Sequence, residues 1–115
     1  MGSILEKKSF QFAIRIVKLC KYLRSNKKEY TLSKQLLRSG TSIGANIAEA
    51  QNAQSKADFT SKLSISLKET TETKYWIRLI SATGYLSESE SNSILSDCVE
   101  LEKILVASVK TSKGN

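Results

Sequence analysis

The absence of proline is the feature of this sequence that most restricts its fold. None of the 115 residues is proline and only 5 are glycine. Proline breaks helices, and both residues mark the turns of folds that are built from short strands. Apolar residues recur at spacings of three and four along most of the chain, which is the period of an amphipathic helix. The pattern predicts an all-α protein with a single domain over residues 1–115.

Four segments with this period are separated by short polar turns. They cover approximately residues 4–26, 31–52, 56–83 and 88–111. A serine followed three residues later by an acid marks the start of the last two segments, at Ser55 with Asp58 and at Ser87 with Glu90. Because short turns make consecutive helices antiparallel, the sequence predicts an up-and-down four-helix bundle.

Two glycines, Gly40 and Gly44, lie one turn apart in the middle of helix two, with Ala48 one turn further on. An interior glycine costs a helix up to about 1 kcal/mol relative to alanine. A backbone anion site would need these glycines in a loop that opens a helix, whereas they lie between apolar residues. We therefore interpret them as the place where another helix approaches closely.

Histidine is absent from the chain. Without it the chain cannot by itself form a Ser-His or Cys-His nucleophile, a His-ligated zinc site or a carboxylate-histidine di-iron site. Glu69 and Glu72 share a helix face, and we interpret them as ion-pair partners of Arg38 or Arg78 rather than as catalytic carboxylates. We expect no enzymatic activity, no catalytic residue, no cofactor and no metal site.

Cys20 and Cys98 each lie among apolar residues at helical spacing, so we expect buried thiols rather than a disulfide. No apolar run approaches the roughly 20 residues that a membrane span requires. The N-terminus has no continuous hydrophobic signal segment. These features predict a soluble, cytoplasmic protein without a membrane partner.

Polar residues also occur where helices two and three pack against their neighbours. In helix two they are Arg38, Thr41, Asn46 and Glu49. We hypothesise that these four form a buried network that sets the register of the bundle. The seam of helix three contains the hydroxyl residues Ser66, Thr70 and Thr73. Two roles are open to them: hydrogen bonding to carbonyls of their own helix, or lining a polar pocket.

The formal charge of +7 is concentrated near the N-terminus, where residues 1–30 hold eight basic and two acidic side chains. On a helical wheel, the cations of helix one lie away from its core stripe, with the last at the edge of that stripe. They are Lys7, Lys8, Arg15, Lys18, Lys21 and Arg24. This basic stripe predicts salt-dependent binding to nucleic acid. The alternatives are a merely solvated face, or pairing with the acidic helix four of a neighbouring subunit.

Helices one and four each carry a second apolar seam beyond the one that a small bundle can bury. The seam of helix one consists of Phe10, Ile14 and Val17. The seam of helix four consists of Leu95, Val99, Val106 and Val109. The two seams predict contacts between subunits and therefore a homo-oligomer. The alternative to nucleic-acid binding is a structural or adaptor protein that uses these seams for protein–protein contacts.

The segment 33–59 carries a set of residues that places the chain near a known family. They are Gln35, Leu36, Arg38, Ser42, Ile43, Asn46, Ile47, Ala48, Glu49, Ser55, Asp58 and Phe59, followed by Glu69, Glu72 and Trp76. The chain resembles the four-helix-bundle family of 23S rRNA-intervening-sequence proteins, which is related to the accessory variability determinant proteins of diversity-generating retroelements. The resemblance covers roughly residues 10–105. The chain departs from the family at Gly44, where proline is frequent, and at residues 50–52, where glycine and a basic residue are frequent.

The resemblance implies a pentameric ring of bundles, an RNA or DNA partner and a protein partner such as a reverse transcriptase. No catalytic motif comes with it. The combined expectation is a non-enzymatic, basic, oligomeric accessory protein that binds nucleic acid.

Overall fold

The computed structural model describes residues 2–114, with side chains from Ile4 onward, and contains the four predicted helices. The helices are α1 (Gly2–Ser25), α2 (Thr31–Ala50), α3 (Lys56–Ala82) and α4 (Glu88–Gly114). Every predicted helix end lies within three residues of the observed one. Met1 and Asn115 belong to the predicted domain but lie outside the described residues.

The four helices occupy the corners of a square. Helix α1 packs against α2 and α4, α3 packs against the same two helices, and the diagonal pairs make no contact within residues 2–114. The bundle measures 46 × 20 × 20 Å. Because each turn is only five residues long, consecutive helices run antiparallel. Over the described residues, none of the helices combines the length and the apolar composition that a membrane span requires.

Both predicted capping serines are confirmed. The Ser55 hydroxyl accepts the backbone N–H of Asp58 at 3.0 Å, and the Ser87 hydroxyl accepts that of Glu90 at 3.1 Å. Each bond satisfies a backbone donor that has no partner within the first turn of its helix. The starts of α3 and α4 are therefore encoded locally.

The start of α2 is stabilised in a way that the sequence analysis did not foresee. The carboxylate of Glu29 accepts the backbone N–H groups of Thr31, Leu32 and Ser33 at 3.2, 3.0 and 2.8 Å. Lys28, just before it, has a φ of 55°, in the left-handed region that favours glycine. The turn between α1 and α2 is thus fixed by a buried acid on one side and an unusual backbone conformation on the other.

Both cysteines lie in the core and are free thiols, as predicted. The sulfur of Cys20 lies 3.4 Å from the carbonyl oxygen of Ser33, and that of Cys98 lies 3.5 Å from the carbonyl oxygen of Thr70. Burial raises the pKa of Cys20 to about 11 and the pKa of Cys98 to about 12. Burial disfavours the thiolate at both positions.

Alkylation of the two cysteines by iodoacetamide at pH 8 should be at least about a hundredfold slower in the native protein than in urea. Only the thiolate reacts, and in the folded protein the thiol pKa is raised to about 11 for Cys20 and about 12 for Cys98. Mass spectrometry of timed samples measures both rates. A native rate equal to the unfolded rate would contradict the burial. The thiols ionise at a lower pH in the unfolded chain than in the folded protein. The free energy of unfolding should therefore fall as the pH rises above about 9.

The four polar residues of helix two do not form a buried network, and that hypothesis is wrong. Arg38 and Glu49 are exposed, on the side of α2 that faces away from the core. Thr41 and Asn46 are partly buried, and each donates a hydrogen bond to a carbonyl four residues earlier in α2, at 2.7 and 2.9 Å. The network fails because each polar group is satisfied at the surface or within its own helix.

Two of the buried hydroxyls of α3 bond to carbonyls of their own helix, which is one of the two predicted roles, and two bond across to α2. Thr70 donates to the carbonyl oxygen of Ser66, within α3, at 2.8 Å. Ser66 itself reaches across to the carbonyl oxygen of Ile43 in α2 at 2.8 Å. The Thr73 hydroxyl lies 2.9 Å from the hydroxyl of Ser39 in α2. These two bonds between helices fix the position of α3 along α2.

The glycines of α2 allow α1 to approach closely, as predicted. A Cβ at Gly40 would lie 2.8 Å from Cγ2 and 2.9 Å from Cγ1 of Ile16, closer than carbon atoms tolerate. A Cβ at Gly44 would lie 3.3 Å from the hydroxyl oxygen of Ser9. Helix α2 continues through both glycines without a break. The lost helix propensity is thus offset by packing between α1 and α2.

Gly40→Ala should destabilise the protein by about 1 kcal/mol, because overpacking costs about 1–3 kcal/mol and the better helix propensity of alanine returns up to about 1 kcal/mol. In an Ile16→Ala background the obstructing methyl groups are gone, so the same substitution should become stabilising. Urea denaturation of the four proteins in this double-mutant cycle measures both effects. The same sign in both backgrounds would refute the close contact.

Candidate nucleic-acid interface

All six cations predicted to bind nucleic acid lie on α1, but two of them are engaged by α4. The Lys8 ammonium lies 3.2 Å from a carboxylate oxygen of Glu100. The Arg15 guanidinium lies 2.8 Å from a carboxylate oxygen of Asp97 and donates to the hydroxyl of Ser93 at 3.0 Å. Both ion pairs form within one chain, whereas the sequence suggested helix four of a neighbouring subunit as a partner. Each pair cancels one positive charge of the predicted stripe.

The other four predicted cations are exposed and form no ion pair with any described carboxylate. They are Lys7, Lys18, Lys21 and Arg24. The last three lie in the second half of α1, and the exposed residues Lys27 and Lys28 continue the series into the following turn. We call this group of five, Lys18, Lys21, Arg24, Lys27 and Lys28, the turn cation cluster.

Elsewhere in the bundle, carboxylates of α3 form ion pairs with a cation of the neighbouring helix α2. Arg38 bridges from α2 to Glu69, at 3.3 Å, and to Glu72, which also accepts the indole N–H of Trp76 at 2.9 Å. This confirms the ion-pair interpretation of the two glutamates.

Two further ion pairs join α3 to its neighbours, one at the same boundary with α2 and one at the boundary with α4. Lys62 lies 3.0 Å from Glu49 of α2, and the hydrogen bond that its ammonium donates to that carboxylate raises the pKa of Lys62. Lys74 lies 2.7 Å from Glu102 of α4. These acids are paired with cations of α2 and α3, and the turn cation cluster has no partner among the described ion pairs.

Two exposed tyrosines lie among these cations. The guanidinium carbon of Arg24 is 5.8 Å from the centre of the Tyr30 ring, and the ammonium of Lys27 is 6.0 Å from the centre of the Tyr22 ring. Tyr30 is 53% exposed and Tyr22 is 36% exposed. Both separations are within the range of cation–π contacts. Aromatic faces and positive charge are therefore combined on one surface.

Tyr22 also borders a small cleft between α1 and α4. Leu19, Leu86 and Ile94 form its apolar part, and the charged residues Arg15, Lys18 and Glu90 also line it. The cleft opens at the same end of the bundle as the turn cation cluster.

The sequence analysis missed Lys27, Lys28, Tyr22 and Tyr30 as members of this surface. The signal was present, because cations continue past the predicted helix end and tyrosines flank them on both sides. Lys27, Lys28 and Tyr30 were overlooked because positions after a helix end have no helical phase from which to infer a common face, and Tyr22 because it lies inside helix one and was not grouped with the cations.

The apolar seam of helix one is exposed as predicted. Phe10 is 68% exposed, and Ile14 and Val17 are also exposed. Phe10 borders an apolar groove whose floor is formed by small residues of α2, namely Gly44, Ala45 and Ala48. The seam therefore faces the α1–α2 side of the bundle.

The seam of helix four is only partly as predicted. Val106 is 50% exposed, whereas Leu95 and Val99 are partly buried. Val109 is 8% exposed and belongs to the core, so its assignment to this seam is wrong. A seam along one side of a helix drifts toward the core over several turns, because 3.6 residues per turn do not match a spacing of seven.

The two exposed seams lie on opposite sides of the square. On α4, Glu102 points to Lys74 of α3, and Val99 and Val106 lie three residues before it and four after it, on the same helix face. The seam of helix four therefore faces the α3–α4 side. The seam of helix one faces the α1–α2 side, which is the opposite one.

The sequence profile of the 23S rRNA-intervening sequence protein family matches residues 3–107. The fold is similar to the crystal structure, at 1.70 Å resolution, of a protein with unknown function from the S23 ribosomal protein family of Bacteroides thetaiotaomicron. That protein is 50% identical in sequence, the match covers 95% of this chain and 97% of that chain, and the TM-score is 0.93. No curated protein matches the chain. The chain belongs to the 23S rRNA-intervening sequence protein family.

Proposed function

We propose that this protein is a non-enzymatic accessory protein that assembles into a homo-oligomer and binds RNA or DNA through phosphate contacts. The observation that carries the proposal is the turn cation cluster, five exposed cations without an ion pair to a described carboxylate. Such a cluster displaces the counterions of a phosphate backbone and binds it without reading the sequence.

The placement of the apolar seams supports a ring. If the α1–α2 side of one copy packs against the α3–α4 side of the next, the contact is head-to-tail, and head-to-tail contacts close into rings when the rotation permits. The family resemblance sets the expected number of copies at five. A ring repeats the cation cluster in every copy, so several clusters bind one nucleic acid chain with an avidity above that of one cluster.

A salt series with the purified protein tests the proposal. Affinity for a structured RNA and for duplex DNA should fall steeply with salt, with a slope of log K against log salt near 0.9 per phosphate contacted on the duplex. Fluorescence anisotropy at several salt concentrations measures the slope. Absence of binding at the lowest salt concentration, with the oligomer intact, would refute nucleic-acid binding.

The exposed seams favour a second candidate, an oligomeric adaptor for another protein. Phe10 is 68% exposed and Val106 is 50% exposed, and apolar surface of this kind is typical of protein contacts. The resemblance suggests a reverse transcriptase as one such partner. In that case the salt series shows no binding, whereas co-purification with the partner depends on Phe10 and Val106.

A further inference from the structure

We propose that the turn between α1 and α2 binds single-stranded nucleic acid by stacking unpaired bases on Tyr22 and Tyr30. This inference rests on the proposed nucleic-acid binding and adds which form of nucleic acid the surface prefers. A duplex offers its phosphates to cations, but its bases are already stacked and cannot reach an aromatic side chain. A surface that combines exposed rings with cations therefore gains most from unpaired strands.

The rings and the cations occur in matched pairs. Arg24 lies 5.8 Å from the Tyr30 ring centre, and Lys27 lies 6.0 Å from the Tyr22 ring centre. The Arg24 side chain is exposed, so it can turn away from the ring and admit a base between the guanidinium and Tyr30. The resulting sandwich of ring, base and guanidinium is a common form of single-strand recognition.

The turn that presents the rings is fixed before any ligand arrives. The Glu29 carboxylate caps α2, and the Ser33 hydroxyl donates to the Glu29 carbonyl oxygen at 2.8 Å. The backbone N–H of Glu29 donates to the carbonyl oxygen of Leu23 at 2.9 Å. Binding therefore orders few backbone torsions, and the cost of forming the complex is mainly that of the flexible cationic side chains.

The test compares two double variants that keep every charge. Tyr22→Leu with Tyr30→Leu removes both rings, and Tyr22→Phe with Tyr30→Phe keeps them. The probes are a single-stranded RNA of about 20 nucleotides, the DNA strand of the same sequence, and the corresponding RNA duplex. Each probe is longer than the stretch of nucleotides that one single-strand binding site usually covers. Circular dichroism melting is the check that both variants fold.

Loss of one stacked base costs about 5- to 150-fold in affinity. We expect the leucine variant to bind both single strands at least about tenfold more weakly than the wild type, with an unchanged salt slope and unchanged duplex affinity. The phenylalanine variant should bind all probes as the wild type does. Equal single-strand affinity of the leucine variant and the wild type, or a parallel loss for single strands and duplex, would overturn the stacking role. If the wild type binds no probe at all, it is the proposed nucleic-acid binding that fails.

Discussion

Reversal of two charges in the turn cation cluster, Lys18→Glu together with Lys21→Glu, should weaken binding to structured RNA by a hundredfold or more at low salt. Each substitution removes an attraction to phosphate of about 1 kcal/mol and adds a repulsion of about the same size, as for unit charges 4 Å apart in water. The two changes together amount to about 3–4 kcal/mol, and each 1.4 kcal/mol is a factor of about ten. Anisotropy titrations at fixed low salt measure the loss. Both side chains are exposed, so the fold should be unaffected.

The matched control is Lys56→Glu with Lys68→Glu. This variant has the same net charge, but its substitutions lie on exposed positions of α3, outside the turn cation cluster and both apolar seams. We expect it to lose much less affinity, because only the long-range field changes and that field is screened within about 10 Å at 0.1 M salt. An equal loss in both variants would mean that net charge, rather than a local surface, determines binding.

An acid in either exposed seam, Phe10→Asp or Val106→Asp, should convert the oligomer to monomers. A charge at the centre of an apolar contact is desolvated without a partner, which costs several kcal/mol per subunit contact. Size-exclusion chromatography with light scattering measures the mass. Ile65→Asp is the control, since this side chain is also an exposed aliphatic, at 38%, and lies on α3 outside both seams.

Mixing the two seam variants distinguishes a head-to-tail contact from a symmetric one. In a head-to-tail arrangement the intact α4 seam of Phe10→Asp fits the intact α1 seam of Val106→Asp, so the mixture should form a dimer of one copy each and stop there. In a symmetric arrangement one of the two variants would still dimerise on its own. An oligomer that survives both substitutions would show that the seams are not the subunit contact.

The helices could be predicted from the sequence because their signals are local. Ser55 and Ser87 bind backbone amides three residues away, and the absence of proline leaves nothing to interrupt the apolar periodicity. The glycine interpretation also succeeded, because Gly40 lies between apolar residues and only packing offsets its helix cost. The cap of α2 was missed, because Glu29 lies outside the Ser/Thr/Asn/Asp preference that defines a recognisable N-cap.

Polar contacts between helices were harder to foresee. Arg38 was expected both in a buried network and as a partner of Glu69, and only the ion pair is present. Lys8 and Arg15 belong to the predicted basic stripe, yet α4 of the same chain neutralises both. A helical wheel gives the angle of a residue on its own helix but not the acid that the next helix brings opposite it.

The sequence by itself therefore determined the helices, the side of each helix that forms the core and the surplus of positive charge on α1, since these depend on residues within a few positions of one another. Tertiary structure decided which cations remain uncompensated, how tyrosines and cations come together at the first turn, and that the two apolar seams lie on opposite sides of the bundle. Those properties depend on distances between residues as far apart in sequence as Lys8 and Glu100, which only the packing of the four helices sets.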